Sequence, residues 1–261
     1  MVEQLTGASR LFPIIGDPVA HVESPVWLTR TFAERGVPAL CVPMQTPDGA
    51  LDVVMAGLAA TTNVDGVLVT MPHKHAAFAH CATTTERAKL LGVVSLVRRN
   101  PDGSWHGDVL DGLAFVKAQR DHGAQVEGAT ALLVGAGGAG SAIAVALLEA
   151  GVGRLVVHDA DNDRAASLVR LLADERASAG PADPTGCDLV FNATPMGMDE
   201  DDPLPVDVGL LAASMFVGDV VSGRGATPLI AAARAIGCRT AGGGDMVEAV
   251  QDLMADFLTG R

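Results

Sequence analysis

The run Gly135-Ala136-Gly137-Gly138-Ala139-Gly140 has the residues and spacing to cradle a phosphate. It reads G-x-G-x-x-G, follows the apolar stretch 131–134 and leads into small residues over 141–150 that read as a helix. Gly135 permits a tight turn, Gly137 lets the backbone approach a pyrophosphate, and Gly140 lets the helix lie close on the strand. Backbone N–H groups at the positive end of that helix would meet the charge. A chain with 30 glycines makes this spacing by chance, and a turn that merely packs helix on sheet is the plainer reading. Asp159 favours the ligand. It closes the next apolar stretch, 154–158, roughly twenty residues beyond the loop, where an acidic residue holds an adenosine ribose. A carboxylate there accepts from both ribose hydroxyls and repels a 2′-phosphate. No arginine follows until Arg164, so NAD is expected and NADP disfavoured. Asp161 and Asp163 read as a solvated loop, with Asn162 or Asp163 capping the next helix.

Such a dinucleotide carries hydride. Taking hydride from a secondary alcohol also releases a proton, which a side chain near the carbinol must accept. The first half offers Lys74, in Thr70-Met71-Pro72-His73-Lys74 just past a strand end, and Asp111, just before Gly112. Each has a plainer reading by itself, an exposed lysine after a turn and a helix N-cap. His73 and His75 read as solvated neighbours of Lys74. Tyrosine is absent, so no phenol takes part. Cys41, Cys81, Cys187 and Cys238 form no C-x-x-C pair and lie near no histidine at zinc spacing. They read as inert thiols in a reducing compartment, and no metal is expected.

The elements that must carry these residues form two strand–helix alternations. In the first, strands are expected at 11–16, 39–44 and 66–70, with helices at 24–35, opened by Ser24 as N-cap and Pro25, and at 48–61. A helix ends at 88–91, and two strands at 93–98 and 105–109 flank the turn Asn100-Pro101-Asp102-Gly103. A helix at 113–122 leads into the second alternation, with strands at 131–134, 154–158, 189–192 and 216–220 and helices at 141–150, 164–174, 229–236 and 246–258. Alternation argues for parallel sheets. The expected fold is α/β in two domains: an N-terminal α/β substrate and catalytic domain, 1–111, joined by a C-terminal helix, 240–261, and a Rossmann-type dinucleotide-binding domain with a parallel sheet, 112–239. The net charge of −13 disfavours nucleic acid as a partner. Met1–Arg10 has no apolar signal core and no run is long enough to span a membrane. A cytoplasmic protein with a small-molecule substrate, monomer or homodimer, is expected.

The motifs together resemble the shikimate/quinate dehydrogenase family. Gly16-Asp17-Pro18-Val19-Ala20-His21-Val22-Glu23-Ser24-Pro25 is similar to that family's G-x-P-I-x-H-S-x-S-P, and Leu68-Val69-Thr70-Met71-Pro72-His73-Lys74 to its N-V-T-x-P-x-K. Leu91-Gly92-Val93-Val94-Ser95-Leu96 resembles I-G-A-V-N-T, and Gly107-Asp108-Val109-Leu110-Asp111 partly echoes G-x-N-T-D. Gly135–Ala139 matches G-A-G-G-A, and Asn192-Ala193-Thr194-Pro195-Met196-Gly197-Met198 matches N-A-T-x-x-G-M. The ordered series runs nearly the length of the chain. It implies an active site in a cleft between two domains and a place in aromatic amino acid biosynthesis. It implies Lys74 as the group that takes and returns the hydroxyl proton, and Asp111 as its partner. Ser24, Thr70, Ser95 and Gln251 would touch the substrate, and His21 would be a structural loop histidine. Asn192, Thr194 and Met198 would line the nicotinamide or ribose side.

Departures from the pattern fall on substrate positions. Of two serines that hold the family's substrate carboxylate, the first is Val22 and only Ser24 remains. The family's two ring-contacting asparagines correspond to Leu68 and Ser95, and the asparagine and threonine before the aspartate to Val109 and Leu110. A site tyrosine corresponds to Ser222. The glutamine of the last helix corresponds to Val250, with Gln251 one position away. A buried substrate hydroxyl left without its partner costs about 1–3 kcal/mol. The expected activity is therefore hydride transfer between NAD and a smaller or more apolar cyclic alcohol or ketone, with shikimate a poor substrate. True shikimate or quinate dehydrogenation is the alternative, and a catalytically idle nucleotide-binding regulator the second.

Overall fold

The apolar runs assemble into two six-stranded sheets, one in each of the two units into which the chain divides. The computed structural model describes residues 6–20, 22–199, 201–223 and 225–260; His21 lies outside the described residues. The first unit extends to Leu110 and resumes at Gln251, and the second is Asp111–Val250.

The first unit contains β1 (Arg10–Gly16), α1 (Ser24–Glu34), β2 (Ala39–Gln45), α2 (Leu51–Ala60), β3 (Gly66–Val69), α3 (Lys74–Phe78), β4 (Thr83–Thr84), α4 (Glu86–Leu91), β5 (Leu96–Arg99) and β6 (Trp105–Asp108). Its strand order is β2-β1-β3-β5-β6-β4. The expectation of parallel pairing holds for β1 with β2 and β3, but β5 runs antiparallel to both β3 and β6. A two-strand connection this short cannot cross over. Asn100 and Ser104 close it, through an Asn100 N–H donating to the Ser104 carbonyl at 2.7 Å and Gly103 at a φ of 88°. Ser24 is not the N-cap of α1. It is buried in the first turn, with Glu23 before it making no side-chain cap.

The second unit contains α5 (Asp111–Asp121), β7 (Thr130–Val134), α6 (Gly138–Glu149), β8 (Arg154–His158), α7 (Asn162–Leu172), β9 (Ala177–Ala179), β10 (Leu189–Asn192), β11 (Phe216–Asp219), α8 (Pro228–Ile236) and β12 (Arg239–Ala241). All its strands are parallel, in the order β12-β11-β10-β7-β8-β9. Strand order reverses between β7 and β10, and ligands bind outside the carboxyl ends of strands at such a point. The central strands β7, β10 and β11 are buried on both faces, as their unbroken apolar runs require. Helix α7 is capped by Asp161, whose carboxylate accepts from the Asp163 and Arg164 N–H groups, rather than by Asn162 or Asp163.

The last helix, α9 (Gly243–Thr259), belongs to both units. The expected first domain takes in all of 240–261, whereas 240–250 group with the second unit. There a Cβ added to Gly243 would come within 2.5 Å of the Val220 and Val221 carbonyl oxygens. Further along, Arg35 at the end of α1 bonds Asp252 at 2.7 Å and Asp256 at 2.6 Å. No helix among the described residues is long and apolar enough to cross a membrane.

Gln119 on α5 is fully buried against the Gly218 backbone of β11, and among the described residues neither end of its amide has a hydrogen-bond partner. Removing both unpaired groups should gain about 1 kcal/mol or more. Gln119→Met is expected to raise the urea midpoint without changing the slope of the transition; an unchanged or lower midpoint would show that the amide is satisfied.

Candidate active site

Helix α6 starts at the carboxyl end of β7 with an N-terminus built from glycine. Gly135 adopts φ 108°. A Cβ on it would lie 2.8 Å from the Ala193 carbonyl, and a Cβ on Gly140 only 1.9 Å from the Gly135 oxygen. Those two glycines are required by the protein's own packing. Gly137 and Gly138 are different: an added Cβ would meet nothing within 4 Å. They leave an open cradle in front of a helix that has no side-chain cap and no acidic residue in its first turn. The first N–H groups of a helix have no intrahelical partner. A dinucleotide pyrophosphate fits this donor set in charge and geometry.

Asp159 stands directly after β8, and its carboxylate is held from both sides. The Ala136 N–H donates to it at 2.8 Å and the Asp161 N–H at 3.0 Å. Burial works to raise its pKa, but these two N–H groups, with Arg164 and His158 adding their fields, bring it below the usual carboxylate range. The group next to the glycine loop is therefore a fixed anion at neutral pH.

Behind the loop, the turn after β10 is held by a buried network. The Asn192 amide donates to the Asp219 carboxylate at 3.0 Å and to the Met196 carbonyl at 3.1 Å. Its oxygen accepts from the Thr194 N–H and hydroxyl at 3.0 and 2.7 Å. Asp219 also accepts from the Val221 N–H and the Thr227 hydroxyl, and Thr227 in turn caps α8. Burial pushes the Asp219 carboxyl above its ordinary value, against the opposing effect of these donors. Asn192, expected to face the cofactor, thus spends its amide inside the turn. Asp219 and Thr227 were missed as members of this network. The only signal was an acidic residue at a strand end and a Thr-Pro helix start. Thr194 is half-buried beside Gly135, and Met198 is exposed on the turn.

In the first unit, the ends of β1, β2 and β3 are joined through their backbones. Thr70 N–H donates to Ile15, Asp17 N–H to Met71 and Thr46 N–H to Gly16. Lys74 is the first residue of α3, half-buried, and its carbonyl accepts from the Val94 N–H at 3.0 Å. His73 is not solvated: it is 2% exposed, and its Nε2 lies 2.7 Å from the Thr46 carbonyl. Ser95 is buried and its hydroxyl oxygen accepts from the Leu110 N–H at 3.0 Å, so the side chain expected to touch substrate also holds the residue before Asp111. Asp108, buried beside it, is bound by Arg87 and by the Thr85 hydroxyl at 2.6 Å. Asp111 opens α5 in the second unit. Gln251 is half-buried in α9, and Ser222 is exposed. Leu68, Val109 and Leu110 are all buried. Among the described residues, no group of His, Cys, Asp and Glu could hold a metal ion.

A doubly wound parallel sheet with a glycine cradle at its switch point and an anchored carboxylate after the next strand is the architecture of a dinucleotide-binding domain. Comparison with known proteins gives the family. Residues 14–97 match the shikimate dehydrogenase substrate binding domain. The chain is 36% identical over 257 residues to the shikimate dehydrogenase (NADP(+)) of Rhodospirillum rubrum, covering 92% of this chain and 88% of that one. Its fold is similar to the shikimate 5-dehydrogenase of Listeria monocytogenes solved with shikimate and NAD, with a TM-score of 0.92 at 25% identity, covering 100% and 95% of the two chains. It is also similar to the ligand-free 5-ketofructose reductase of a Gluconobacter strain, with a TM-score of 0.87 at 27% identity and 97% and 94% coverage. The chain belongs to the shikimate/quinate dehydrogenase family and is an NAD(P)-dependent oxidoreductase acting on CH–OH groups.

The two kinds of glycine predict opposite phenotypes. Gly137→Ala should leave the melting temperature within a degree or two and weaken NADH binding about tenfold or more, read by nucleotide fluorescence, because the methyl fills the cradle. Gly140→Ala should instead lose stability by several kcal/mol, because a backbone oxygen occupies the added carbon's place. Ser95→Ala should cost about 1–3 kcal/mol in a urea melt by unpairing the buried Leu110 N–H.

Proposed function

We propose that this enzyme transfers hydride between NAD and a cyclic secondary alcohol or its ketone, and that the ring carries fewer hydroxyl groups than shikimate. The observation that carries the substrate reading is the burial of Leu68, Val109 and Leu110, all 3% exposed or less, at positions where the family pattern has asparagine, asparagine and threonine. None of the three can pair a ring hydroxyl, and the desolvation cost of each unpaired group weakens binding of the more hydroxylated substrate. The family reading of the first unit as the substrate domain and the second as the nucleotide domain is part of the same proposal. Bound NAD supplies the hydride acceptor. Ser24 and Thr70 present hydroxyls to the substrate. Ser95 keeps a donor hydrogen for the substrate while its oxygen accepts from Leu110. Lys74 takes the carbinol proton in oxidation and returns it in reduction, and Asp111 orients that exchange.

The NAD preference rests on Asp159. Both its carboxylate oxygens are already oriented by backbone N–H groups, so the anion cannot swing away from an incoming 2′-phosphate. A second reading, dehydrogenation of shikimate itself, is favoured by retained Ser24 and Thr70 and by the name of the Rhodospirillum rubrum relative. The name of the Gluconobacter neighbour, which acts on a different ketone, favours the altered pocket.

Steady-state rates with shikimate, quinate and 3-hydroxycyclohexanecarboxylate, each with NAD and NADP, separate these readings. The hydroxyl-poor ring should give the highest kcat/KM, and Lys74→Ala should abolish its turnover. Shikimate turned over best, with Lys74 required, would establish the second reading. NADH binding with no Lys74-dependent turnover of any of the three would point to an idle nucleotide binder. NAD should exceed NADP in kcat/KM by about a hundredfold, since facing like charges cost several kcal/mol, and Asp159→Ser should narrow that ratio at least tenfold.

A further inference from the structure

We propose that His73 is a positioning residue for Lys74, and the proposal rests on the reading of Lys74 as the proton-handling group. Helix α3 has five residues, too few to hold a helical conformation by themselves. The direction of its first residue, Lys74, is therefore set by what anchors its start. His73 makes three anchoring bonds there. Its N–H donates to the Thr70 carbonyl at 3.0 Å, and its own carbonyl accepts from the Ala77 N–H at 2.8 Å. Its ring crosses to the end of β2, where Nε2 lies 2.7 Å from the Thr46 carbonyl oxygen. A carbonyl only accepts, so Nε2 carries the hydrogen.

Thr46 is no loose partner. Its N–H donates to the Gly16 carbonyl at 2.9 Å, and Thr70 N–H donates to the Ile15 carbonyl at 2.9 Å. The imidazole thus ties the start of α3 to the ends of β1, β2 and β3 through one buried donor. On the other side, the Lys74 carbonyl accepts from the Val94 N–H. The family pattern N-V-T-x-P-x-K leaves the place of His73 open, so the motif itself assigns it no role. A residue that only stabilised the unit would change melting; one that aims Lys74 changes how the amine behaves while the fold persists.

The test compares His73→Leu, which removes the donor, with His73→Gln, whose Nε2 can occupy the same place, and His73→Asn, whose amide is too short to reach. The first readout is acetylation of Lys74 by sulfo-NHS-acetate relative to exposed Lys89, by mass spectrometry. The buried Cys41 thiol, held up at a pKa of about 12, reports that the unit is closed. The second readout is kcat and KM for NAD with whichever of 3-hydroxycyclohexanecarboxylate, shikimate and quinate the wild-type enzyme turns over fastest. His73→Leu should shift the Lys74:Lys89 ratio about threefold or more and lower kcat about ten- to a hundredfold with KM for NAD unchanged, as a misplacement near 1 Å does. His73→Gln should restore both, and His73→Asn should not. If His73→Leu does not fold, the Gln–Asn pair decides. A ratio within twofold of wild type in His73→Leu, or equal behaviour of Gln and Asn, overturns the proposal. Lys74→Ala with wild-type turnover would instead overturn the catalytic reading alone, and the labelling ratio would still judge the positioning.

Discussion

The contact between the start of α6 and the carbonyl of Gly135 is the constraint around which the second unit is organised. With a Cβ at Gly140 the helix would have to withdraw from the strand, and with it the N–H groups at its positive end. Gly135 is pressed in turn against the Ala193 carbonyl just past β10, so the cradle sits at the ends of both strands that flank the switch point. The same loop donates its Ala136 N–H to Asp159. One tight turn thereby fixes the open glycine cradle, the Asp159 carboxylate and the turn that carries Thr194.

The Asp219 network makes that arrangement rigid from behind. A buried carboxylate surrounded by donors is costly to leave unpaired, so Asn192, Thr227 and the Val221 N–H are held to it. Asn192 passes the constraint to Thr194 through its amide oxygen. The turn therefore presents mostly backbone and the side chains of Thr194 and Met198, while the asparagine that draws notice in the motif works from inside.

The first unit solves a different problem. Its reactive candidate sits on a helix of one turn, and local propensity cannot orient it. Orientation comes from strand ends knitted by backbone hydrogen bonds, with His73 and Ser95 adding side-chain ties to Thr46 and Leu110. Apolar residues fill the neighbouring positions at Leu68, Val109 and Leu110. In the proposed reading the residues that would handle a proton are kept while their surroundings are less polar than the family pattern, a combination that would change substrate before chemistry.

Much of this was legible in the residues alone. Unbroken apolar runs followed by small-residue helices foretold the parallel sheet of the second unit. The glycine spacing foretold the tight turn from β7 into α6, because so close a packing of helix on strand needs glycine at fixed intervals. Short elements escaped: β4, β9, β12 and α3 have two to five residues and cannot display a period. The antiparallel pairing of β5 with β3 escaped as well, since alternation says nothing of direction, whereas the turn at Asn100–Gly103 was legible. What only the tertiary structure decided is which polar side chains turn inward. His73, Asn192 and Ser95 read as surface or site residues in sequence, and nothing there marks Gln119 as buried. Each is buried by a surrounding that includes strands or loops distant along the chain, at Thr46, Asp219, Leu110 and Gly218. A hydrogen bond is made by position in space, and residues far apart in sequence acquire that position only when the sheets close.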